Sequence, residues 1–310
     1  VGRATVRVTS KEHLAALAAS GTTFRIDPVR RLRIADPGEG AHPPPPLELD
    51  GAPVVAVIDG GLHAQSYKPA EAWRAPPLFP DTHADRQHGN EVSSLAVHAH
   101  AWNNNRALPT LSCRIGTVQA VPNSRGAATF NESELVEYLE LVAKARPDTR
   151  VWNISANQNG FVTDPEEVSA LGHELALLAR KYNLLPVISV GNAGTGTSRR
   201  PSPPADCEAA IVVGGRQADA DGNPSQACSV CLQGPGPDGM LKPDLSWFSN
   251  LRMLGGVTKT GSSYATPLVS SLAAHAFATL RDPTPDLVKA LCINAAELEE
   301  RPRPRLGNAL

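Results

Sequence analysis

A chain of 310 residues with 41% hydrophobic content is long enough to bury a full core, and single α/β domains of this size are ordinary. Twenty-nine basic against 31 acidic residues give a formal net charge of −2, so no global field argues for nucleic acid or a membrane surface as partner. No run reads as a membrane span, and the most apolar helical pattern, from Ser263, carries several serines and His275.

Residues 1 to 35 read as a small unit: a strand at Ala4 to Thr9, a helix at Lys11 to Ala19, and strands at Thr22 to Ile26 and Arg31 to Ile34. Pro43-Pro44-Pro45-Pro46 follows as a stiff extended linker and candidate processing boundary. Residues 1–50 are therefore expected to form an extension and residues 51–310 the main domain. From Pro53 strand and helix alternate, the signature of parallel βαβ units and of a three-layer α/β/α fold with a mostly parallel central sheet. Strands are expected at Pro53 to Asp59, Cys113 to Val118, Arg150 to Ser155, Leu184 to Val190 and Ala209 to Val213. Helices are expected from His88 to about Ala101, Asn131 to Ala145, Pro165 to Tyr182, Ser263 to Leu280 and Pro285 to Leu298.

Five cysteines, Cys113, Cys207, Cys228, Cys231 and Cys292, form an odd set at irregular spacing. That fits free thiols in a reducing compartment better than a disulfide framework and leans toward the cytoplasm, although a chain beginning with Val1 says little about leaders. Cys228-Ser229-Val230-Cys231 has redox or zinc spacing but lacks the second pair a metal site needs. Asp81, His83 and Asp85, or His98 and His100, read as polar residues of a loop and a solvated helix face, so no metal is expected.

Three stretches carry chemistry. Val54-Val55-Ala56-Val57-Ile58-Asp59-Gly60-Gly61 reads as a buried parallel strand whose end, where open α/β sheets place reactive groups, carries a carboxylate. His88-Gly89-Asn90-Glu91-Val92 leads a histidine into a helix. Gly261-Ser262-Ser263-Tyr264-Ala265-Thr266-Pro267 puts a serine at a helix entrance, where free N–H groups and the helix dipole stabilise negative charge. Pro267 is expected to mark the start of that helix. Taken singly, the serine reads as an N-cap, the Asp as a turn cap and the His as a structural residue.

Together, in the order Asp, His, Ser, these motifs resemble the subtilisin-like serine proteases. Leu185-Pro186-Val187-Ile188-Ser189-Val190-Gly191-Asn192 resembles that family's strand ending in Gly-Asn. Val151-Trp152-Asn153-Ile154-Ser155 resembles its strand leading to a wall of the specificity pocket, and Lys242-Pro243-Asp244 its Lys-Pro-Asp segment. The resemblance spans roughly residues 51 to 300. It implies a serine endopeptidase acting on protein or peptide, with Ser263 as nucleophile, His88 as base, Asp59 as orienting carboxylate and Asn192 as oxyanion donor. Ser124, Arg125 and Gly126 are then expected to pair with substrate backbone, and Ser155, Ala156 and Asn157 to form the pocket wall. No cofactor is needed for this chemistry, structural calcium is not legible, and a regulatory protein is a further candidate partner.

Gly60, Asn90 and Ser262 depart from the small hydroxyl residues usual at their positions, and Ala156-Asn157 from the usual Leu-Gly. The competing reading is a catalytically silent or partner-gated peptide-binding or assembly module of the same fold. A lipase-like esterase lacks support, since Gly261-Ser262-Ser263-Tyr264-Ala265 has no final glycine. The N-terminal unit reads either as a propeptide-like inhibitor or as an extension on the sheet edge. The extension is preferred because Pro-rich linkers also join parts that are never separated.

Overall fold

Val54 to Asp59 forms the strand on which the molecule is built, paired in parallel on both sides and almost entirely buried. The computed structural model describes residues 5–23, 25–26, 32–33, 49–124, 131–158, 163–193, 200–296 and 308–309. In chain order the elements are α1 (Lys11–Ala19), β1 (Leu32–Arg33), β2 (Val54–Asp59), β3 (Glu71–Arg74), α2 (Arg86–Trp102), β4 (Arg114–Gln119), α3 (Glu132–Ala145), β5 (Val151–Ile154), β6 (Asn157–Gln158) and α4 (Ala170–Tyr182). After these come β7 (Leu185–Ser189), β8 (Ile211–Ala218), β9 (Pro224–Ala227), β10 (Leu245–Phe248), β11 (Asn250–Arg252), β12 (Thr258–Thr260), α5 (Ser262–Thr279), α6 (Pro285–Ala295) and β13 (Asn308–Ala309).

The main sheet runs β13-β10-β8-β7-β5-β2-β4-β3, all parallel, with β9 antiparallel on β8. Because side chains alternate across a strand, β2 feeds two cores. Val55 and Val57 pack with Val92 and Leu95 of α2, Leu268 and Val269 of α5 and Val288 of α6. Ala56 and Ile58 pack with Leu135 and Leu139 of α3 and Leu171 and Leu175 of α4. Helices on both faces make this the expected three-layer α/β/α fold. No described helix is long and apolar enough to cross a membrane.

Helix α5 is buried nearly all round through its first three turns. Its hydroxyls tolerate this by bonding back: Thr266 Oγ1 to Ser262 O (2.8 Å), Ser270 Oγ to Thr266 O (3.0 Å) and Ser271 Oγ to Pro267 O (2.9 Å). Pro267 sits in the second turn, not at the start as its helix-breaking character suggests.

Other boundaries move too. Helix α4 begins at Ala170, not Pro165, because Asp206 holds Ser169 as an extended N-cap through its N–H (2.6 Å) and hydroxyl (2.8 Å). Residues 5–9 form no strand; Val6 and Val8 are exposed, with no described strand beside them. Among residues 22–26, those described are likewise not strand. The described strand of the N-terminal unit, β1, pairs antiparallel with β6 rather than with an edge strand of the main sheet.

Candidate active site

Asp59 ends β2 and is fully buried, its Oδ1 accepting from the N–H of Gly60 at 2.7 Å. His88 lies in the first turn of α2, capped by Asp85, whose side chain accepts from the His88 N–H at 3.1 Å. The two meet because glycines let their backbones touch. A Cβ on Gly60 would stand 1.8 Å from the Asp85 carbonyl oxygen, and one on Gly89 2.3 Å from that of Gly61. Gly60 is therefore dictated by contact, which accounts for its departure from a hydroxyl residue.

His88 Nδ1 lies 2.9 Å from both Asp59 carboxylate oxygens. A carboxylate only accepts, so Nδ1 carries the proton and the neutral ring keeps its lone pair on Nε2. Nε2 is buried without a hydrogen-bond partner among the described residues; in ligand-free sites such catalytic bonds are often long and tighten with substrate. Burial alone lowers the proton affinity of His88, but the charge and hydrogen bond of Asp59, with Glu91 and Asp85 beyond, outweigh it and raise the pKa above its ordinary value.

Ser263 is the second residue of α5, where helix geometry leaves its N–H without an intrahelical acceptor. Its carbonyl accepts from Ser155 Oγ at 2.9 Å, and Ser155 Oγ in turn accepts from Asn153 Nδ2 at 3.0 Å. Asn192 follows β7, and its Oδ1 accepts from the Ser262 N–H at 2.9 Å. That N–H can only donate, so the facing atom must be Oδ1, and Nδ2 is left beside Gly261, 3.1 Å from where a Cβ there would stand. Ser262 Oγ bonds Gly191 O (3.1 Å) and accepts from Gly191 N (3.2 Å), so the hydroxyl at this position serves the loop bearing Asn192.

A family model described as the subtilase family matches residues 50–308. The chain belongs to the subtilase family. It is accordingly a serine-type peptidase with peptide or protein substrates. Solved structures similar to this subtilase include the patellamide maturation protease PatA, with a TM-score of 0.57 at 20% identity over 83% of this chain and 93% of that one. A cold-adapted subtilisin-like serine proteinase gives 0.57 at 18% identity over 84% and 89%. The prenylagaramide maturation protease PagA gives 0.56 at 20% over 83% and 90%. At these identities the likeness carries the fold. No curated protein matches the subtilase by sequence.

The other expected site residues of this subtilase are more scattered. Ser155 and Ala156 are buried, and Ser155 bonds the Ser263 backbone. The Asn157 side chain is occupied internally, Nδ2 donating to Ser189 O (2.7 Å) and Ser202 O (3.1 Å) and Oδ1 accepting from Ser189 Oγ (2.7 Å). Ser124 is exposed on a turn, while Arg125 and Gly126 lie outside the described residues. Asn90, another departure, accepts from the N–H groups of His63 (2.7 Å) and Ala64 (2.9 Å) and so braces the loop after Gly61.

The cysteine expectation is corrected: Cys228 and Cys231 form a disulfide, while Cys113, Cys207 and Cys292 are free and buried. A tight turn brings the pair's Cα atoms to 5.4 Å, within disulfide reach. The disulfide braces the strip that backs Asn192, where Ala193 N donates to Val230 O (2.7 Å) and Leu232 N to Gly191 O (2.9 Å). Lys242 and Asp244 of the Lys-Pro-Asp segment make a buried ion pair at 2.8 Å, and Asp244 also accepts from Val212 N. Among the described residues no group of three or more His, Cys, Asp or Glu is arranged to hold a metal ion.

Proposed function

We propose that this subtilase is an endopeptidase working through an acyl-enzyme intermediate, with Ser263, His88 and Asp59 as its triad and Asn192 as oxyanion donor. The observation that carries this reading is the His88 Nδ1 to Asp59 contact, 2.9 Å to both oxygens in a fully buried setting. Asp59 fixes the tautomer in which Nε2 accepts a proton and steadies the imidazolium that results. Ser263 Oγ then attacks the substrate carbonyl carbon as its proton passes to Nε2. The oxyanion is met by the Ser263 N–H at the helix entrance and by Asn192 Nδ2, the amide atom left over once Oδ1 is engaged by Ser262. His88 returns the proton to the leaving amine, and water, activated by the same base, releases the acyl group. No step draws on a metal or cofactor.

A partner-gated or self-occluded form of the enzyme is the second reading, and the β1–β6 pairing favours it. Residues 1–50 then act as an extension whose β1 pairs with β6, two residues beyond Ser155, and residues 51–310 as the peptidase domain. Arg25 adds a second anchor, donating to Val168 O at 2.7 Å. Replacement of Ser263 by alanine tests the main reading: peptide hydrolysis should vanish with the melting temperature nearly unchanged, and retained hydrolysis would refute it.

A further inference from the structure

Glu91 and Lys259 form a buried ion pair beside the proposed triad, with Nζ 2.7 Å from Oε1 and 2.5 Å from Oε2. The residues are 1% and 7% exposed. Glu91 lies one turn beyond His88 on α2, and Gln87 Nε2 steadies its Oε1 at 3.1 Å. Lys259 lies in β12, directly before the turn into α5, four residues before Ser263. Tyr264 stands near both His88 and Lys259: its ring is 5.8 Å from that of His88, and Lys259 Nζ is 5.8 Å from its centroid.

Burying two opposite charges costs several kcal/mol each in lost hydration, and a well-packed apolar pair often stabilises a fold as well or better. Stability alone is therefore a weak reason for Glu91 and Lys259. We propose that they act as a positioning pair for the reaction, coupling the helix that carries His88 to the strand that delivers Ser263 and setting the net charge that the histidine meets. The inference rests on the triad reading given above.

The groups facing His88 define what each change should do. Asp59 comes from β2, Asp85 from the N-cap of the histidine's own helix, Glu91 from that helix, Tyr264 from α5, and Lys259 from β12 against Tyr264. Glu91 is among the carboxylates that raise the His88 pKa, and it also raises that of the buried Tyr264 hydroxyl. Removing the Glu91 charge leaves a cation near His88 and favours neutral imidazole. Removing the Lys259 charge leaves an uncompensated carboxylate and favours imidazolium.

The test is the rate at which a fluorophosphonate probe labels the full chain, measured against pH, because labelling needs His88 neutral and no knowledge of the substrate. Relative to the unmodified chain, Glu91→Gln should move the acid limb down by about half a pH unit or more and Lys259→Gln should move it up similarly. The double variant, neutral at both positions, should have a midpoint between those of the two single variants, and it also supplies the comparison with Glu91→Gln should Lys259→Gln fail to fold. Midpoints that stay put, or that move in the same direction in both single variants, overturn the inference even if melting temperatures fall. A chain that is not labelled at all, or is labelled equally after Ser263→Ala, overturns the triad reading instead.

Discussion

The Ser263 carbonyl accepts its hydrogen bond from Ser155 Oγ because Pro267, four residues further along α5, has no N–H to give it. A proline in the second turn thus frees a backbone acceptor beside the proposed nucleophile, and the strand forming the expected pocket wall takes it up. Ser155→Ala leaves a buried carbonyl without a partner, at a cost of about 1–3 kcal/mol, and loosens the entrance of α5. Urea denaturation should show the loss of stability and peptide hydrolysis a lower turnover; an unchanged midpoint and rate would contradict this.

Asn192→Ala should reduce turnover by roughly 100- to 1,000-fold, the magnitude known for loss of one such donor in subtilisin, with little change in KM. The reason is that the oxyanion exists only on the way to the intermediate. A raised KM with turnover intact would make Asn192 a substrate contact.

Activity should rise with pH through the titration of His88, with a midpoint above the ordinary histidine value of about 6.5, since the surrounding carboxylates hold the proton more tightly than burial expels it. The sign for stability is opposite. A raised folded-state pKa stabilises the fold fully below the unfolded-state value, and that contribution is lost as pH rises through the folded-state value. The working form of the site is thus the one that has given up this contribution. A steady-state rate profile flat from about pH 5 to 8 with chemistry rate-limiting would contradict a histidine base.

A chain beginning at Leu47 should cleave peptides faster than the full chain, because β1 no longer pairs along β6, and adding residues 1–46 in trans should slow it again. Strand addition supplies affinity through backbone hydrogen bonds, so on the self-occluded reading substrate and β1 would compete for the backbone of β6. Equal or lower activity with reduced melting temperature would instead make residues 1–46 a structural extension.

The α/β/α fold and the positions of Asp59, His88, Ser263 and Asn192 were legible because each depends on a local device: a strand end, a glycine contact, a helix entrance, a Gly-Asn turn. Ser155 was legible as the residue that follows a buried strand but not as the partner of Ser263, since that bond spans 108 positions. The Glu91–Lys259 pair spans 168 positions, and each residue alone reads as surface charge. Strand β8 runs to Ala218, five residues past the expected end, because Gly214-Gly215-Arg216 interrupts the apolar run while continuing the pairing with β10. Cys228 and Cys231 have a spacing shared by metal, redox and structural pairs, and only the turn that joins them selects the disulfide.

The most direct measurement is mass-spectrometric mapping of a fluorophosphonate adduct on the full chain at a pH above the His88 midpoint. A single adduct on Ser263, absent in His88→Ala, is the expected result. An adduct on another serine, or hydrolytic activity in a chain that never labels at Ser263, would contradict the proposed site.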